Sequence, residues 1–132
     1  MRTSATRVAA ALIVGLEGAG LLALTVWQVV ALLSGDVGST ESAVALIVLS
    51  LVGAAGVLAF GVSILRGRSW ARSGGIVLQV LILAVALGAA TGAYAHPVTG
   101  LIIAVPAVVA LVLLALDARS AGHAASGPES GD

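Results

Sequence analysis

The chain has 132 residues, of which 60% are hydrophobic and 9% are charged, and its mean hydropathy is +1.18. Because a soluble domain of this length is usually about a quarter charged, this composition excludes an ordinary soluble domain and indicates an integral membrane protein. Six basic residues, all of them Arg, balance six acidic ones, and the absence of Cys excludes a disulfide framework, a thiol nucleophile and a thiolate metal site.

Four apolar segments predict four transmembrane helices, since about 20 mostly apolar residues span a bilayer. The first covers residues 8–33, with Glu17 as its one charge, and the others cover 42–65, 71–93 and 98–116. A basic start followed by an apolar run is also typical of a signal peptide, but this run exceeds the roughly 7–15 residues of such a segment. We therefore expect a retained helix, one membrane domain over 1–116, and a disordered Gly, Ser and Ala-rich tail over 117–132.

The basic residues all fall on one side of a four-span topology. Two precede the first helix, three lie between the second and third, and one follows the fourth: Arg2, Arg7, Arg66, Arg68, Arg72 and Arg119. Because basic residues of short loops stay in the cytoplasm, we expect both termini and the Arg loop to be cytoplasmic and the protein to lie in the cell membrane. The three loop residues can also attract anionic lipid headgroups, at about 1 kcal/mol per charge, although setting the topology is the simpler interpretation.

Short connections make consecutive helices antiparallel neighbours. The predicted fold is therefore an all-α membrane protein, a four-transmembrane-helix antiparallel bundle. In lipid, small side chains let neighbouring helix backbones approach each other. The first helix carries Gly15 and Ala19 at four-residue spacing, and the third carries Gly88 and Gly92. We interpret these four as helix-packing residues of a compact bundle.

Glu17 and Gln79 are predicted to form a polar pair inside the membrane. A rise of about 1.5 Å per residue places Glu17 roughly 13 Å and Gln79 roughly 12 Å from the cytoplasmic ends of their helices. A charged carboxylate at this depth costs at least about 2.5–3.5 kcal/mol, which favours the neutral acid. A glutamine side chain supplies both the donor and the acceptor that a neutral acid needs.

Two functions stay open at this stage. An intramembrane acid often marks a proton or cation path, so Glu17 could serve a proton-coupled small-molecule transporter. A hydrogen-bonded pair that only joins two helices indicates instead a structural or accessory subunit, in a homo-oligomer or a larger membrane complex. We favour the second, because the predicted spans hold no other ionisable group apart from Arg72 at the very start of the third.

Enzymatic activity is disfavoured, because the spans contain no His, no paired acids and no phosphate-binding loop. Both His residues fall outside the predicted spans, which argues against a metal site built from them, and no cofactor or nucleic-acid partner is predicted. The lipid bilayer is the expected partner.

The stretch RGRSWARSGGIVLQVLILAVALG, together with GLEGAG in the first helix, resembles a group of small four-span integral membrane proteins of actinobacteria. The matching positions are Glu17, Arg66, Arg68, Trp70, Ala71, Arg72 and Gln79. The resemblance implies a four-span fold but carries no function.

The length, the four spans and the acid of the first helix are also similar in form to the small multidrug resistance transporters, whose essential acid Glu17 would match. Those transporters surround cationic drugs with Tyr and Trp side chains within the spans. Here Trp27, Trp70 and Tyr94 lie only near predicted helix ends, which puts a drug-binding role in doubt.

Overall fold

A computed structural model describes residues 5–125 and 127 of the chain. Four α-helices follow one another: α1 (Ala5–Leu33), α2 (Thr40–Leu65), α3 (Ser69–Thr91) and α4 (Pro97–Ala125). The described residues contain no β-strand. The predicted all-α four-helix bundle is confirmed.

All four helices are long and apolar enough to cross a membrane. The shortest, α3, has 23 residues, and at about 1.5 Å per residue it exceeds the roughly 30 Å of a bilayer's hydrocarbon core. Much of the helix surface is apolar and exposed, as lipid contact requires. The chain is therefore a multi-pass membrane protein.

The turns between the helices use ordinary helix-end chemistry. The side chain of Ser39 accepts a hydrogen bond from the Ser42 backbone N–H and so caps the start of α2. Gly67 has a φ of +73°, a left-handed conformation that glycine adopts without strain, and it lets the chain turn from α2 into α3. Pro97 opens α4, where its missing N–H costs no hydrogen bond.

The two ends of the bundle carry opposite charges. The starts of α1 and α3 and the ends of α2 and α4 form what we call the Arg end, which carries Arg7, Arg66, Arg68, Arg72 and Arg119. The other end, here the acidic end, carries Asp36 and Glu41. Arg2 lies outside the described residues.

Packing divides the bundle into two hairpins. α1 packs along α2 and α3 along α4, and α1 also contacts α4. The contact between α2 and α3 is the smallest of the four, and the α1 and α3 backbones do not approach each other. A cluster of buried apolar side chains joins the hairpins, mainly in the half of the bundle nearer the Arg end, and includes Val14, Ile64, Ala71, Ala110 and Leu114. α1 and α3 thus face each other diagonally, across the interior of that half.

The fourth helix is longer than predicted. It continues past Leu116 to Ala125, so the prediction of a disordered tail from residue 117 onward is wrong over 117–125. Two physical reasons account for the difference: Asp117 is buried against two Arg side chains, and the Ala residues that follow have the highest helix propensity. Residues 126 and 128–132, the rest of the predicted tail, lie outside the described residues.

Candidate functional site

A hydrogen bond joins Glu17 of α1 and Gln79 of α3 within the spans. Gln79 Nε2 donates to Glu17 Oε2 at 2.8 Å, and the Gln79 side chain is fully buried. The structure thus brings together the two side chains of the predicted intramembrane pair. Because α1 and α3 are diagonal in the bundle, the bond crosses the interior rather than one helix interface.

Each member of this pair keeps one side-chain oxygen that is not hydrogen-bonded. Glu17 Oε1 and Gln79 Oε1 are buried and have no hydrogen-bond partner among the described residues. An unsatisfied buried polar atom costs about 1–3 kcal/mol, so the pair is not a fully satisfied clamp. A proton, a water molecule or a small cation is the kind of group that two such oxygens accept.

Close helix packing positions both side chains. An added Cβ on Gly75, one turn before Gln79, would lie 3.1 Å from a Leu114 methyl carbon and 3.2 Å from one of Ile64. An added Cβ on Gly61 would lie 3.3 Å from the backbone nitrogen of Gly15. These glycines let α3 and α2 approach their neighbours, and that approach holds Glu17 and Gln79 inside the bundle.

The four predicted packing residues have different environments. Gly15 lies where the α1 and α2 backbones meet. Ala19, Gly88 and Gly92 are exposed on the outside of the bundle, and nothing would contact an added Cβ at Gly88. The buried small residues of these two helices are instead Ala10, Ala11, Gly18, Ala71, Gly75 and Ala86.

A second polar site, which the sequence analysis did not identify, lies at the Arg end. Asp117 of α4 is 1% exposed. Its Oδ1 lies 3.5 Å from Arg7 Nε, and its Oδ2 lies 3.5 Å from Arg72 Nη1. Three helices therefore meet at one carboxylate, whose charge two guanidinium groups compensate.

The three predicted lipid-headgroup residues also have different environments. Arg66 and Arg68 are exposed in the loop between α2 and α3, as expected of residues that set topology or meet headgroups. Arg72 lies one turn into α3, and its side chain is only 16% exposed because it faces Asp117. The sequence did hold a signal for this site, since Asp117 directly follows the last apolar run on the side where all the Arg residues collect.

A third polar contact links α1 and α2 in the half nearer the acidic end. Gln28 Nε2 donates to Ser50 Oγ at 3.3 Å, and the Ser50 hydroxyl lies 3.4 Å from Gln28 Oε1. Both distances are longer than the Glu17–Gln79 bond, so this contact is the weaker of the two.

Metal chemistry has no support in the described part of the chain, where no group of three or more His, Cys, Asp or Glu side chains could hold an ion. No protein-family model, curated protein sequence or solved structure shows a significant match to this chain. Any function must therefore be argued from the geometry alone.

Proposed function

We propose that this protein is a non-enzymatic structural or accessory subunit, working as a homo-oligomer or within a larger membrane complex. The observation that carries the proposal is that small-residue faces lie outside the bundle. Ala19 and Ala23 of α1, and Ala84 and Gly88 of α3, are all exposed. In a bilayer such faces let another helix approach closely, and close packing is a main source of helix association there.

The interior supports this proposal. The carboxylate of Asp117 is neutralised by Arg side chains, and Glu17 is engaged by Gln79. Both groups join helices to each other, which suits a protein whose task is to hold a shape. We also propose that the chain is related to the small four-span membrane proteins of actinobacteria that it resembles. This relation implies no function.

Native mass spectrometry of the full chain in mild detergent tests the assembly. We expect species heavier than the 12.8 kDa monomer, either its multiples or a complex with other chains. Gly88→Leu should reduce these species, because a large side chain keeps a neighbouring backbone away. Val80→Leu is the matched control, since Val80 is 53% exposed and lies about 80° around α3 from Gly88. A wild-type chain that stays monomeric in detergent and in lipid nanodiscs would contradict the proposal.

We further propose that both termini face the cytoplasm in the cell membrane, because all five described Arg residues lie at the Arg end. The chain has no Cys, so single Cys substitutions report orientation cleanly. Gly38→Cys should react with a membrane-impermeant maleimide in intact cells, and Ser120→Cys only after permeabilisation. The reverse pattern would overturn this orientation.

A second function, proton-coupled transport of a small molecule through Glu17, is favoured by one observation. Glu17 Oε1 and Gln79 Oε1 are buried acceptors without a partner in the described part of the chain. The Glu17 carboxylate can take up a proton at Oε1, and Gln79 Oε1 can accept the hydrogen bond that this proton donates. Proton flux into reconstituted vesicles that enclose a pH-sensitive dye tests it. Glu17→Gln should abolish the flux while Asp36→Asn, an exposed acid outside the spans, leaves it intact. The transport function fails if Glu17→Gln leaves every measured flux unchanged.

A further inference from the structure

A groove opens at the Arg end, between the start of α3 and the end of α4. One wall carries two serines and an arginine of α3, Ser69, Ser73 and Arg72. Three small residues, Ala118, Ala121 and Gly122, form the α4 wall. The space measures about 350 Å³ and is open to the surroundings. It exists because α4 continues as a helix past the predicted span and brings small residues opposite the polar ones.

Arg72 is held in the wall of this groove by Asp117. Its Nη1 lies 3.5 Å from Asp117 Oδ2, and its other N–H groups have no partner in the described part of the chain. A guanidinium carries five N–H donors in a fixed planar arrangement, so the ion pair orients the side chain without using up its donors. The hydroxyl groups of Ser69 and Ser73 add two further donors, one helical turn apart.

The charge around the groove favours an anion. Arg7, Arg66, Arg68, Arg72 and Arg119 surround this end, and Asp117 is the one acid there among the described residues. Guanidinium and hydroxyl donors are the groups that bind phosphate oxygens. The groove also lies at the start of a membrane-spanning helix, which is the level of lipid phosphates. Apolar side chains such as Val77, 60% exposed, continue along α3 where acyl chains would lie.

We propose that the groove between α3 and α4 binds a phosphate group, with Arg72, Ser69 and Ser73 as its donors. The headgroup of an anionic phospholipid and a free phosphate ion share this chemistry. This site is separate from the Glu17–Gln79 pair, and it depends neither on an assembly role nor on transport.

Binding of phosphatidylglycerol to the full chain in detergent, followed by native mass spectrometry at fixed salt, tests the proposal. Ser69→Ala combined with Ser73→Ala should weaken binding about a hundredfold or more, because each of the two lost hydrogen bonds to a charged group weakens it about tenfold or more. Ala121→Leu should abolish binding by filling the groove. Its control is Ala115→Leu, an exposed position on α4 outside the groove.

Further measurements identify the source of the phosphate group and distinguish binding in the groove from non-specific electrostatic attraction. Millimolar inorganic phosphate should compete with the lipid if the free ion is the ligand, and should leave lipid binding unchanged if the headgroup with its acyl chains is. Phosphatidylcholine should bind more weakly than phosphatidylglycerol, because it carries no net charge. The proposal is overturned if the groove variants bind as the wild type does. Weaker binding by Arg66→Gln combined with Arg68→Gln would then assign the attraction to general surface charge.

Discussion

Asp117 and Glu17 are both held between helices, but by different partners. Asp117 lies near the end of α4, 1% exposed, with guanidinium nitrogens of Arg7 and Arg72 each 3.5 Å away. Glu17 lies within a span and receives one hydrogen bond of 2.8 Å from the neutral amide of Gln79. Asp117 thus interacts with two positively charged groups, whereas Glu17 interacts with an uncharged amide.

The difference follows the depth of each group in the membrane. At the Arg end the two guanidinium groups remain partly exposed, with side chains 25% and 16% accessible, so each can be solvated while it compensates Asp117. Within the span a guanidinium would itself be costly, whereas an amide adds no charge. This bundle therefore uses charge compensation at its Arg end and neutral hydrogen bonding within the span.

Removing the charge of Asp117 should have the largest effect on stability. Asp117→Asn leaves two guanidinium groups facing an amide, and breaking a buried ion pair costs about 3–5 kcal/mol. We expect about 3 kcal/mol, because both Arg side chains keep some exposure. Unfolding of the purified protein by SDS titration measures the change. Asp36→Asn, an exposed acid of the opposite end, is the control, and an equal loss in both variants would contradict the importance of the cluster.

Removing Arg72 should have a smaller effect, of about 2 kcal/mol, because Arg7 still compensates Asp117. Arg68→Leu, which removes an exposed charge of the same end, should change the free energy of unfolding by less than about 0.5 kcal/mol. Combining Arg72→Leu with Asp117→Leu should cost less than the sum of the two single changes, since the double variant leaves no unpaired carboxylate. Strict additivity in the same SDS titration would show that the two side chains are not coupled.

The fold could be predicted from the sequence because each transmembrane helix is marked by a long apolar segment. Apolar runs of about 20 residues mark the spans, and the ends of α1 and α2 at Leu33 and Leu65 are those predicted. The end of α4 could not be predicted from composition, because a Gly, Ser and Ala-rich stretch indicates disorder only when nothing anchors it. Asp117 provides the anchor, and its partners come from residues far away in the sequence.

The packing faces were harder to predict for a geometric reason. A four-residue spacing advances about 40° further around a helix with each step, so a ridge drifts from one face to another. In helices this rich in Ala and Gly, several faces look alike, and only the neighbouring helices decide which is buried. Gly18 is buried where its neighbour Ala19 is exposed, and Gly75 is buried where Gly88 is exposed.

The Glu17–Gln79 contact could be predicted from helix rise, which gives both residues a similar distance from the same end, and from the matching donor and acceptor groups of the two side chains. The unpartnered Oε1 atoms do not follow, because matching donors to acceptors depends on side-chain rotation. The sequence therefore identifies which residues meet but not how completely they satisfy each other. The transport function proposed for Glu17 depends on these unpartnered oxygen atoms.

A double-mutant cycle on Glu17 and Gln79 should give the smallest change in the free energy of unfolding. It tests directly whether the Glu17 and Asp117 sites differ in how strongly they hold their helices together. Hydrogen bonds between membrane helices average about 0.6 kcal/mol and reach about 1.7 kcal/mol, so Glu17→Leu and Gln79→Leu should show a coupling in that range. Gln28→Leu with Ser50→Ala is the matched cycle, and its coupling should be lower because its contacts are 3.3 and 3.4 Å long. A coupling near 3 kcal/mol at Glu17 would mean that the interior holds a full charge as strongly as the Arg end does, and the distinction between the two sites would fail. A coupling of zero would mean that the 2.8 Å bond does not contribute to holding α1 and α3 together.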